Sequence, residues 1–428
     1  MLTVLTPEEV EDIIYRRFPP LADPAERVGL GDAPGRTLYG DIIANEFVPG
    51  FDRSTVDGYA VVSSDTFGCS ESIPAMLSLS GEVLMGHASQ GTIQPGSCVS
   101  VSTGGDLPDG ADAVVMLEYA EDYGSGFIGI TSPVAPGNNI IFKGDDVSPG
   151  DRILPGGTIL APSDIGILAA LGYDSVSVRR RPIVGIISTG DELVLPSESP
   201  GRGQIRDVNT PLLAAAIEKF GALPLSYGII RDVETDLKDA TLRAVTECDI
   251  VLVSGGSSAG ARDLTARVIE SSGVLLFHGI AMKPGKPTIL GVIDNKPVFG
   301  LPGHPVAAYF VTELFVRLLI SRLMGAAVKR RSVQARISEA VSSNHGRAEY
   351  IAIALSMAIA SGELGDVGAE RLELGVETLE LGSEVPVAFP IKGKSGLITS
   401  LAGADGYICI PRDSEGIPKG EIVTVTLF

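Results

Sequence analysis

Continuous apolar runs alternate with helix-like stretches between about residues 179 and 328. The runs 183–187 and 250–253 are apolar throughout, as in strands that are buried on both faces of a sheet. A strand followed by a helix, three times in succession, predicts a doubly wound parallel α/β sheet with right-handed crossovers. The three helices are predicted to begin at Thr210, at about Glu234 and at about Asp263.

Short β-branched runs, separated by glycine and proline, make up much of the chain on either side of this region. Residues 46–141 therefore predict a β-rich domain of short antiparallel strands, and residues 329–428 predict a small β-barrel or sandwich without a major helix. A further helix is predicted over 163–171, with Ser163 as its N-cap and Gly172 just beyond its end.

The first residues of the chain carry a helix start. Thr6 is a good N-cap, Pro7 fits the first helical position, and Glu9 completes a capping box. This helix start stands where a signal peptide would carry a basic segment and an apolar core, so no signal peptide is expected.

These changes of pattern predict a multidomain α/β protein with four domains. Domain I combines residues 1–45 with 142–178, domain II covers 46–141, domain III covers 179–328, and domain IV covers 329–428.

Composition and charge narrow the class of protein. Hydrophobic residues make up 44% of the 428 residues, which is enough to bury sizeable cores. The formal net charge of −20 argues against a nucleic-acid partner, because binding to a phosphate backbone needs a basic surface. The longest apolar stretch, 306–323, contains Glu313, Arg317 and Arg322, so a core helix is expected there and no membrane span. Four scattered cysteines indicate a reducing, cytoplasmic location without a disulfide framework or zinc site.

Three loops follow predicted strands, at the edge of the sheet where open parallel sheets bind ligands. The loop after Ser254, Ser-Gly-Gly-Ser-Ser, offers backbone N–H groups and hydroxyls to an anion, although the same residues also suit a tight turn. It is not a nucleotide-binding P-loop, because no Gly-Lys-Ser/Thr follows. The other two loops are 188–192 and 300–305, and the second contains His304, which could donate to an anion or simply cap a helix.

A proline-rich segment indicates an anion site more specifically than the glycine-rich loop does. It reads Lys283-Pro284-Gly285-Lys286-Pro287. Two lysines are held three residues apart on a proline-rich turn, which lowers the entropy lost when both ammonium groups face one ligand. A rigid basic pair in an acidic chain favours an oxyanion ligand, although a solvated surface turn would look similar.

Several carboxylates lie next to glycine at the ends of strands. A phosphate-handling site with Mg²⁺ needs one or two hard oxygen ligands. Asp232 and Asp263 are the candidates for this metal, although Asp263 could instead be the N-cap of the helix that follows it.

Eight segments in chain order resemble one known family. The segment 51–60 reads F-D-R-S-T-V-D-G-Y-A, and the glycine-rich and lysine-rich loops described above are among the others. Together they are similar to the MoeA-type molybdopterin molybdenumtransferases, relatives of the gephyrin E domain, over essentially the whole chain. The remaining segments are 102–104 with 110–115, 143–146, 188–193, 204–209 and 300–305.

The resemblance implies an enzyme that inserts molybdate, or tungstate, into adenylylated molybdopterin and releases AMP with the help of Mg²⁺. It also implies an elongated homodimer in which domain I serves as linker and dimerisation region, domain III is MogA-like, and a molybdopterin adenylyltransferase supplies the substrate. The catalytic residues it implies are Asp57, Thr103, Glu118, Asp146, Asp191, Glu192, Asp232 and Asp263. The substrate-binding residues are Thr189, Gly190, Asn209, Ser254, Gly255, Gly256, Ser257, Lys283, Gly285, Lys286, Pro302, Gly303, His304, Arg347 and Ser400.

Three positions depart from the family pattern. Val56 stands where methionine is usual, Ala261-Arg262 stand where an acidic residue is common, and His304 stands where asparagine is common. Arg262 adds positive charge near the glycine-rich loop and bears on metal affinity, whereas His304 bears on the choice between molybdate and tungstate.

Two other functions fit parts of the sequence. Domain III alone resembles the molybdopterin adenylyltransferases, although their loop typically reads Thr-Gly-Gly-Thr-Gly where this chain has Ser-Gly-Gly-Ser-Ser. A non-catalytic, gephyrin-like binding scaffold is the other alternative.

Overall fold

The computed structural model describes residues 4–23, 25–255, 259–327, 330–343, 346–356, 385–391 and 393–428, with the backbone alone for 259–263. Its helices are α1 (Pro7–Arg17), α2 (Pro162–Ala170), α3 (Asn209–Lys219), α4 (Glu234–Glu247), α5 (Ala259–Ser272), α6 (Pro305–Val311) and α7 (Arg317–Leu323).

Most strands are short. They are β1 (Glu26–Gly29), β2 (Ile42–Ile43), β3 (Arg53–Ser54), β4 (Gly58–Val61), β5 (Ala75–Val83), β6 (Ser97–Val101), β7 (Ala113–Met116), β8 (Ala120–Asp122), β9 (Phe127–Ile130), β10 (Ile140–Ile141), β11 (Arg152–Leu154), β12 (Ser175–Val178), β13 (Ile183–Thr189), β14 (Leu193–Val194), β15 (Ile205–Arg206), β16 (Leu223–Ile230), β17 (Ile250–Gly255), β18 (Val274–His278), β19 (Met282–Lys283), β20 (Ile289–Ile293), β21 (Lys296–Leu301), β22 (Ser332–Ile337), β23 (Val341–Ser342), β24 (Ala348–Ser356), β25 (Val387–Pro390), β26 (Gly406–Ile410), β27 (Gly416–Ile417) and β28 (Ile422–Leu427).

The chain folds into two compact units. The α/β–barrel unit comprises Met1–Glu26, Gly35–Thr37 and Arg179–Phe428, and the β-rich unit comprises Arg27–Pro34 and Leu38–Val178. Helix α1, which the sequence analysis grouped with residues 142–178, contributes Val10 and Ile14 to the core of the α/β–barrel unit, and Phe18, which follows the helix, joins them. The finer division into four domains stays a prediction.

The α/β region confirms the predicted fold class, with one difference. Its six-stranded sheet has the order β16-β13-β17-β21-β20-β18, and the first four strands are parallel. Strands β20 and β18 run antiparallel, so the sheet is mixed at one edge. The cause is a hairpin between β20 and β21, where Asp294 and Asn295 both adopt positive φ, as a two-residue hairpin turn requires.

Apolar side chains cover both faces of this sheet, as expected for a doubly wound domain. On one face, Ile186 of β13 lies in a cluster with Leu213 of α3 and Phe310 of α6. On the other face, Ile187 lies in a cluster with Leu237 of α4 and Ile269 of α5. Neighbouring residues of β13 thus point into separate cores, which explains why the strand is apolar throughout.

Helix boundaries follow local capping signals in most cases. In α1 the Thr6 side chain accepts from Glu9 N at 3.3 Å and Thr6 N donates to Glu9 Oε2 at 2.8 Å, which confirms the capping box. Helix α4 has the predicted bounds.

Two predicted helix starts were wrong. Helix α2 begins at Pro162, because Asp164 accepts from Ala161 N at 2.8 Å and makes Ala161 the N-cap instead of Ser163. Helix α5 begins at Ala259, so Asp263 lies inside it and is not its N-cap.

The β-rich unit is built on a second six-stranded sheet, with the order β7-β4-β6-β5-β9-β8. Its pairings are antiparallel except that between β5 and β6. Small apolar residues such as Val61 and Ala113 fill its core, and helix α2 packs in a separate cluster around Leu38 and Leu168. The predicted β-rich domain is confirmed.

The C-terminal region confirms the predicted barrel. Strand β24 pairs with both β25 and β26, and β22 and β28 complete the ring of five strands. Strand β19, from the α/β region, adds to this barrel by pairing in parallel with β24. This addition was not predicted, and it determines the position of the lysine pair.

The apolar stretch 306–323 forms α6, a π-helical turn (Thr312–Val316) and α7 in succession. Of the helices in the described part of the chain, none is long and apolar enough to cross a membrane. Glu313 is only 1% exposed and forms an ion pair with Arg317, whose guanidinium lies 5.5 Å from the centre of the Phe220 ring.

Replacing Arg317 with alanine should lower the free energy of unfolding of this unit by about 3–5 kcal/mol, because it leaves the Glu313 carboxylate buried without a cation. The double change Glu313→Leu with Arg317→Leu should lower it less, since no charge then remains buried. Urea unfolding of the full chain measures both. A loss of equal size in the two variants would contradict this explanation.

Candidate functional site

A cleft of about 1030 Å³ lies between the α/β sheet and the barrel of the α/β–barrel unit. It is lined by the turn that follows β19, by the start of α6, by β24 and by the segment 390–400. We call it the basic cleft. The predicted binding residues that it brings together are Lys283, Gly285, Lys286, Pro302, His304, Arg347 and Ser400.

The pairing of β19 with β24 fixes the first lysine of the pair. Lys283 stands opposite Glu349 in the register of the two strands. Its Nζ lies 2.7 Å from Glu349 Oε1, and the other carboxylate oxygen, Oε2, accepts from Ser343 Oγ at 2.9 Å. Both Lys283 and Ser343 therefore contact the Glu349 carboxylate, and the ion pair with Glu349 fixes the Lys283 side chain in the lining of the cleft.

Basic side chains outnumber acidic ones in the lining of the cleft. Four lysines and arginines line it, and Glu349 is the one acidic residue among its described lining residues. The whole chain has the opposite balance, with 53 acidic and 33 basic residues. Lys286, Arg347 and Lys394 form no ion pair with any other described residue, so their charges remain available to an anion.

Glu349, Lys394 and Ser395 are among the lining residues that the sequence analysis missed. Ser395 Oγ lies 2.9 Å from Nδ1 of His304, the residue that precedes α6. The run Gly393-Lys394-Ser395-Gly396 is a signal for Lys394 and Ser395, because it presents a lysine between glycines. Nothing local distinguishes Glu349 from the other acidic residues of the chain.

Tyr350 also lines the cleft, beside Glu349. Burial raises the pKa of Tyr350, and the neighbouring Cys409 raises it further. The phenol therefore stays protonated at neutral pH and can act as a hydrogen-bond donor.

The carboxyl edge of the parallel sheet carries a second group of predicted residues. Thr189 Oγ1 donates to Asp232 Oδ1 at 2.6 Å, and the backbone N–H of Asp232 donates to Asp191 Oδ1 at 3.3 Å. Gly190 and Glu192 lie in the same turn after β13. These residues are brought together because β13 and β16 are parallel neighbours and end at the same edge.

Asn209 joins this edge to the basic cleft. Its Nδ2 donates to Ser254 Oγ at 2.8 Å and to the carbonyl oxygen of Gly303 at 3.0 Å, next to His304. Asn209 is 8% exposed, and its Oδ1 accepts no hydrogen bond in the described part of the protein. The end of β17 and the loop that follows β21 are thus linked through Asn209.

Gly255 lies at this edge, where the neighbouring strand leaves no room for a side chain. A Cβ atom at Gly255 would overlap the carbonyl oxygen of Thr189 on the neighbouring strand, so only glycine fits. The predicted positions Gly256 and Ser257 and the side chain of Asp263 lie outside the described residues.

The other predicted catalytic residues belong to the β-rich unit. Asp57 Oδ1 accepts from Thr103 N at 2.7 Å and from Thr103 Oγ1 at 3.1 Å. The carbonyl oxygen of Asp57 accepts from Leu117 N at 3.1 Å, which places Glu118 in the adjoining turn. Asp146 lies in an exposed turn and donates its N–H to Val48 O at 3.1 Å. A catalytic role for these four residues stays a prediction.

Comparison with known proteins covers almost the whole chain. The family model for the MoeA N-terminal region, domains I and II, matches residues 5–172, and that for the MoeA C-terminal region, domain IV, matches residues 374–428. Between them, a model described as a probable molybdopterin binding domain matches residues 185–322. A molybdopterin molybdenumtransferase of Bacillus subtilis is 32% identical over 100% of this chain and 96% of its own length. The chain belongs to the MoeA family.

Further relatives agree with this membership. A putative molybdopterin biosynthesis protein of Methanocaldococcus jannaschii is 31% identical, covering 98% of this chain and 97% of that protein. The crystal structure of a MoeA protein from Pyrococcus horikoshii OT3 superposes with a TM-score of 0.82 at 35% identity and covers 100% of both chains. The similarity in sequence and in fold thus extends over the whole of the given chain.

Proposed function

We propose that this MoeA-family chain is a molybdopterin molybdenumtransferase, a transferase that inserts molybdate or tungstate into adenylylated molybdopterin and releases AMP. The basic cleft is the observation that carries the proposal. A strongly acidic chain concentrates four basic side chains in one cleft, and such a cleft suits a small oxyanion.

The basic cleft and the sheet edge of the α/β–barrel unit bind different parts of the substrates. Lys283, Lys286 and Arg347 bind the oxyanion, because their side chains offer charge and several N–H donors. Asn209 and Ser254, at the sheet edge, bind the nucleotide-bearing pterin through hydrogen bonds. Lysines held in place before the reaction also offset the charge that develops on the departing phosphate.

Mg²⁺ fits the sheet edge as a hydrated ion. Among the described residues no group of three or more His, Cys, Asp and Glu side chains could hold a metal without other ligands. Asp232 and Asp263 are the proposed carboxylates, although the side chain of Asp263 lies outside the described residues. Mg²⁺ needs only one or two carboxylates when phosphates and waters complete its shell. When bound, the ion polarises the phosphate of the substrate.

The remaining features of the proposal follow from the family. We propose a cytoplasmic homodimer that receives adenylylated molybdopterin from a molybdopterin adenylyltransferase. Sedimentation of the purified protein measures the oligomeric state independently of activity.

Incubation of the purified protein with adenylylated molybdopterin tests the main proposal. AMP release that depends on molybdate is the expected result. ATP-dependent adenylylation of molybdopterin would instead identify an adenylyltransferase. Peptide binding without either reaction would identify a scaffold, and both of these outcomes would overturn the proposal.

A further inference from the structure

Glu349 holds an unusual position for an acidic residue. It lines a cleft whose other charged lining residues are lysine and arginine, and it contacts one member of the lysine pair directly. Its side chain is 13% exposed while that of Lys283 is 55% exposed, so the carboxylate lies behind the ammonium group. An oxyanion that binds Lys283 must approach a resident negative charge.

The geometry keeps that charge in place. The strand register sets Glu349 opposite Lys283, and Ser343 binds the carboxylate oxygen that Lys283 does not use. A lysine ammonium has three N–H donors, so Lys283 can donate to Glu349 and still offer donors to a ligand. The carboxylate and a bound oxyanion would therefore share one ammonium group.

We infer that Glu349 is a resident counter-ion that limits how tightly the basic cleft holds an oxyanion, and that it acts through Lys283 as a positioning residue. The inference rests on the proposed function for the class of ligand. Binding that is equally strong before and during the reaction lowers KM but does not accelerate transfer, so tighter binding of molybdate would bring no gain in turnover at saturating molybdate.

The effect of Glu349 on oxyanion affinity can be estimated from electrostatics. A unit charge about 5 Å from a dianion changes its affinity roughly tenfold when water screens the pair well, and more in a drier site. Glu349→Gln removes the charge but keeps an oxygen that accepts from Lys283 and a group that can bond Ser343. The variant therefore separates the charge of Glu349 from its hydrogen bonds.

Equilibrium dialysis of the full-length protein with molybdate and with perrhenate tests the inference. The two probes are tetrahedral oxyanions with two charges and one charge respectively. Glu349→Gln should tighten molybdate binding about tenfold and perrhenate binding about threefold, because the electrostatic free energy scales with the charge of the ligand. The affinity of the variant should also fall more steeply with added salt. Glu218→Gln, an exposed position on α3, is the matched control and should change neither affinity.

Steady-state kinetics supply a second readout. Glu349→Gln should lower the KM for molybdate without raising kcat, a split that a structural defect would not produce. Equal effects on both probes, weaker binding, or no change in either affinity would overturn the inference. If the unmodified protein binds neither oxyanion and Lys283→Ala leaves molybdate-dependent AMP release unchanged, the proposed function fails as well. Molybdate binding that is weakened by Lys283→Ala but unaffected by Glu349→Gln would leave the proposed function standing and refute only the role of Glu349.

Discussion

Replacing Lys286 with alanine is expected to lower molybdate-dependent AMP release at least a hundredfold, roughly the loss seen when one preorganised donor to a developing charge is removed. Lys286 lines the basic cleft and forms no ion pair within the described part of the protein. Its removal therefore takes positive charge from the oxyanion and leaves no acidic partner unpaired. The turnover rate at saturating pterin, measured against molybdate concentration, gives the result.

The controls for this experiment separate chemistry from folding. Lys219→Ala removes an exposed lysine at the end of α3 and should leave turnover unchanged. Lys283→Ala should also abolish turnover, but it leaves Glu349 without its cation and so costs some stability. Thermal unfolding of Lys286→Ala should match that of the unmodified protein. Retained turnover in both Lys286→Ala and Lys283→Ala would show that the lysine pair is not part of the site.

Replacing Gly255 with alanine should lower the stability of the α/β region by about 3 kcal/mol or more and abolish turnover. The added Cβ would overlap the Thr189 carbonyl oxygen, a backbone atom of the adjacent strand that cannot move without breaking the pairing of β13 with β17. The displaced strand ends carry Thr189 and Ser254, so the sheet edge loses its arrangement as well.

Gly166→Ala is the matched control for the glycine change. Gly166 is exposed within α2, where an added Cβ would meet no other atom within 4 Å. Alanine there should stabilise the β-rich unit by about 0.5–1 kcal/mol, because alanine has the higher helix propensity. Circular dichroism during thermal unfolding measures both variants. An unaltered melting curve for Gly255→Ala would show that the strands can separate without penalty.

Much of the local structure could be predicted because its causes are local. The capping box of Thr6 and Glu9 and the bounds of α4 depend on residues within a few positions of each other. The start of α2 was misplaced for the same kind of reason, since a competing local signal was stronger. At α2, Asp164 caps the helix from within its first turn.

The site could be predicted in part. The lysine pair was predicted from its own pattern, Arg347 and Ser400 were assigned from the resemblance to a family, and the structure brings all four residues to one cleft. Lys394 and Glu349 were missed. The glycine-flanked run around Lys394 was a local signal, whereas no pattern near Glu349 shows that it faces Lys283, because that contact depends on strands β19 and β24, which are more than 60 positions apart.

The sequence by itself determined the order of helices and strands, the buried parallel strands and the acidic balance of the chain, since periodicity and composition are properties of short segments. Only the tertiary structure decided that β19 leaves the α/β region to pair with β24 of the barrel. Backbone hydrogen bonds between strands carry no residue code that can be read from one strand alone. That single long-range pairing sets Lys283 against Glu349.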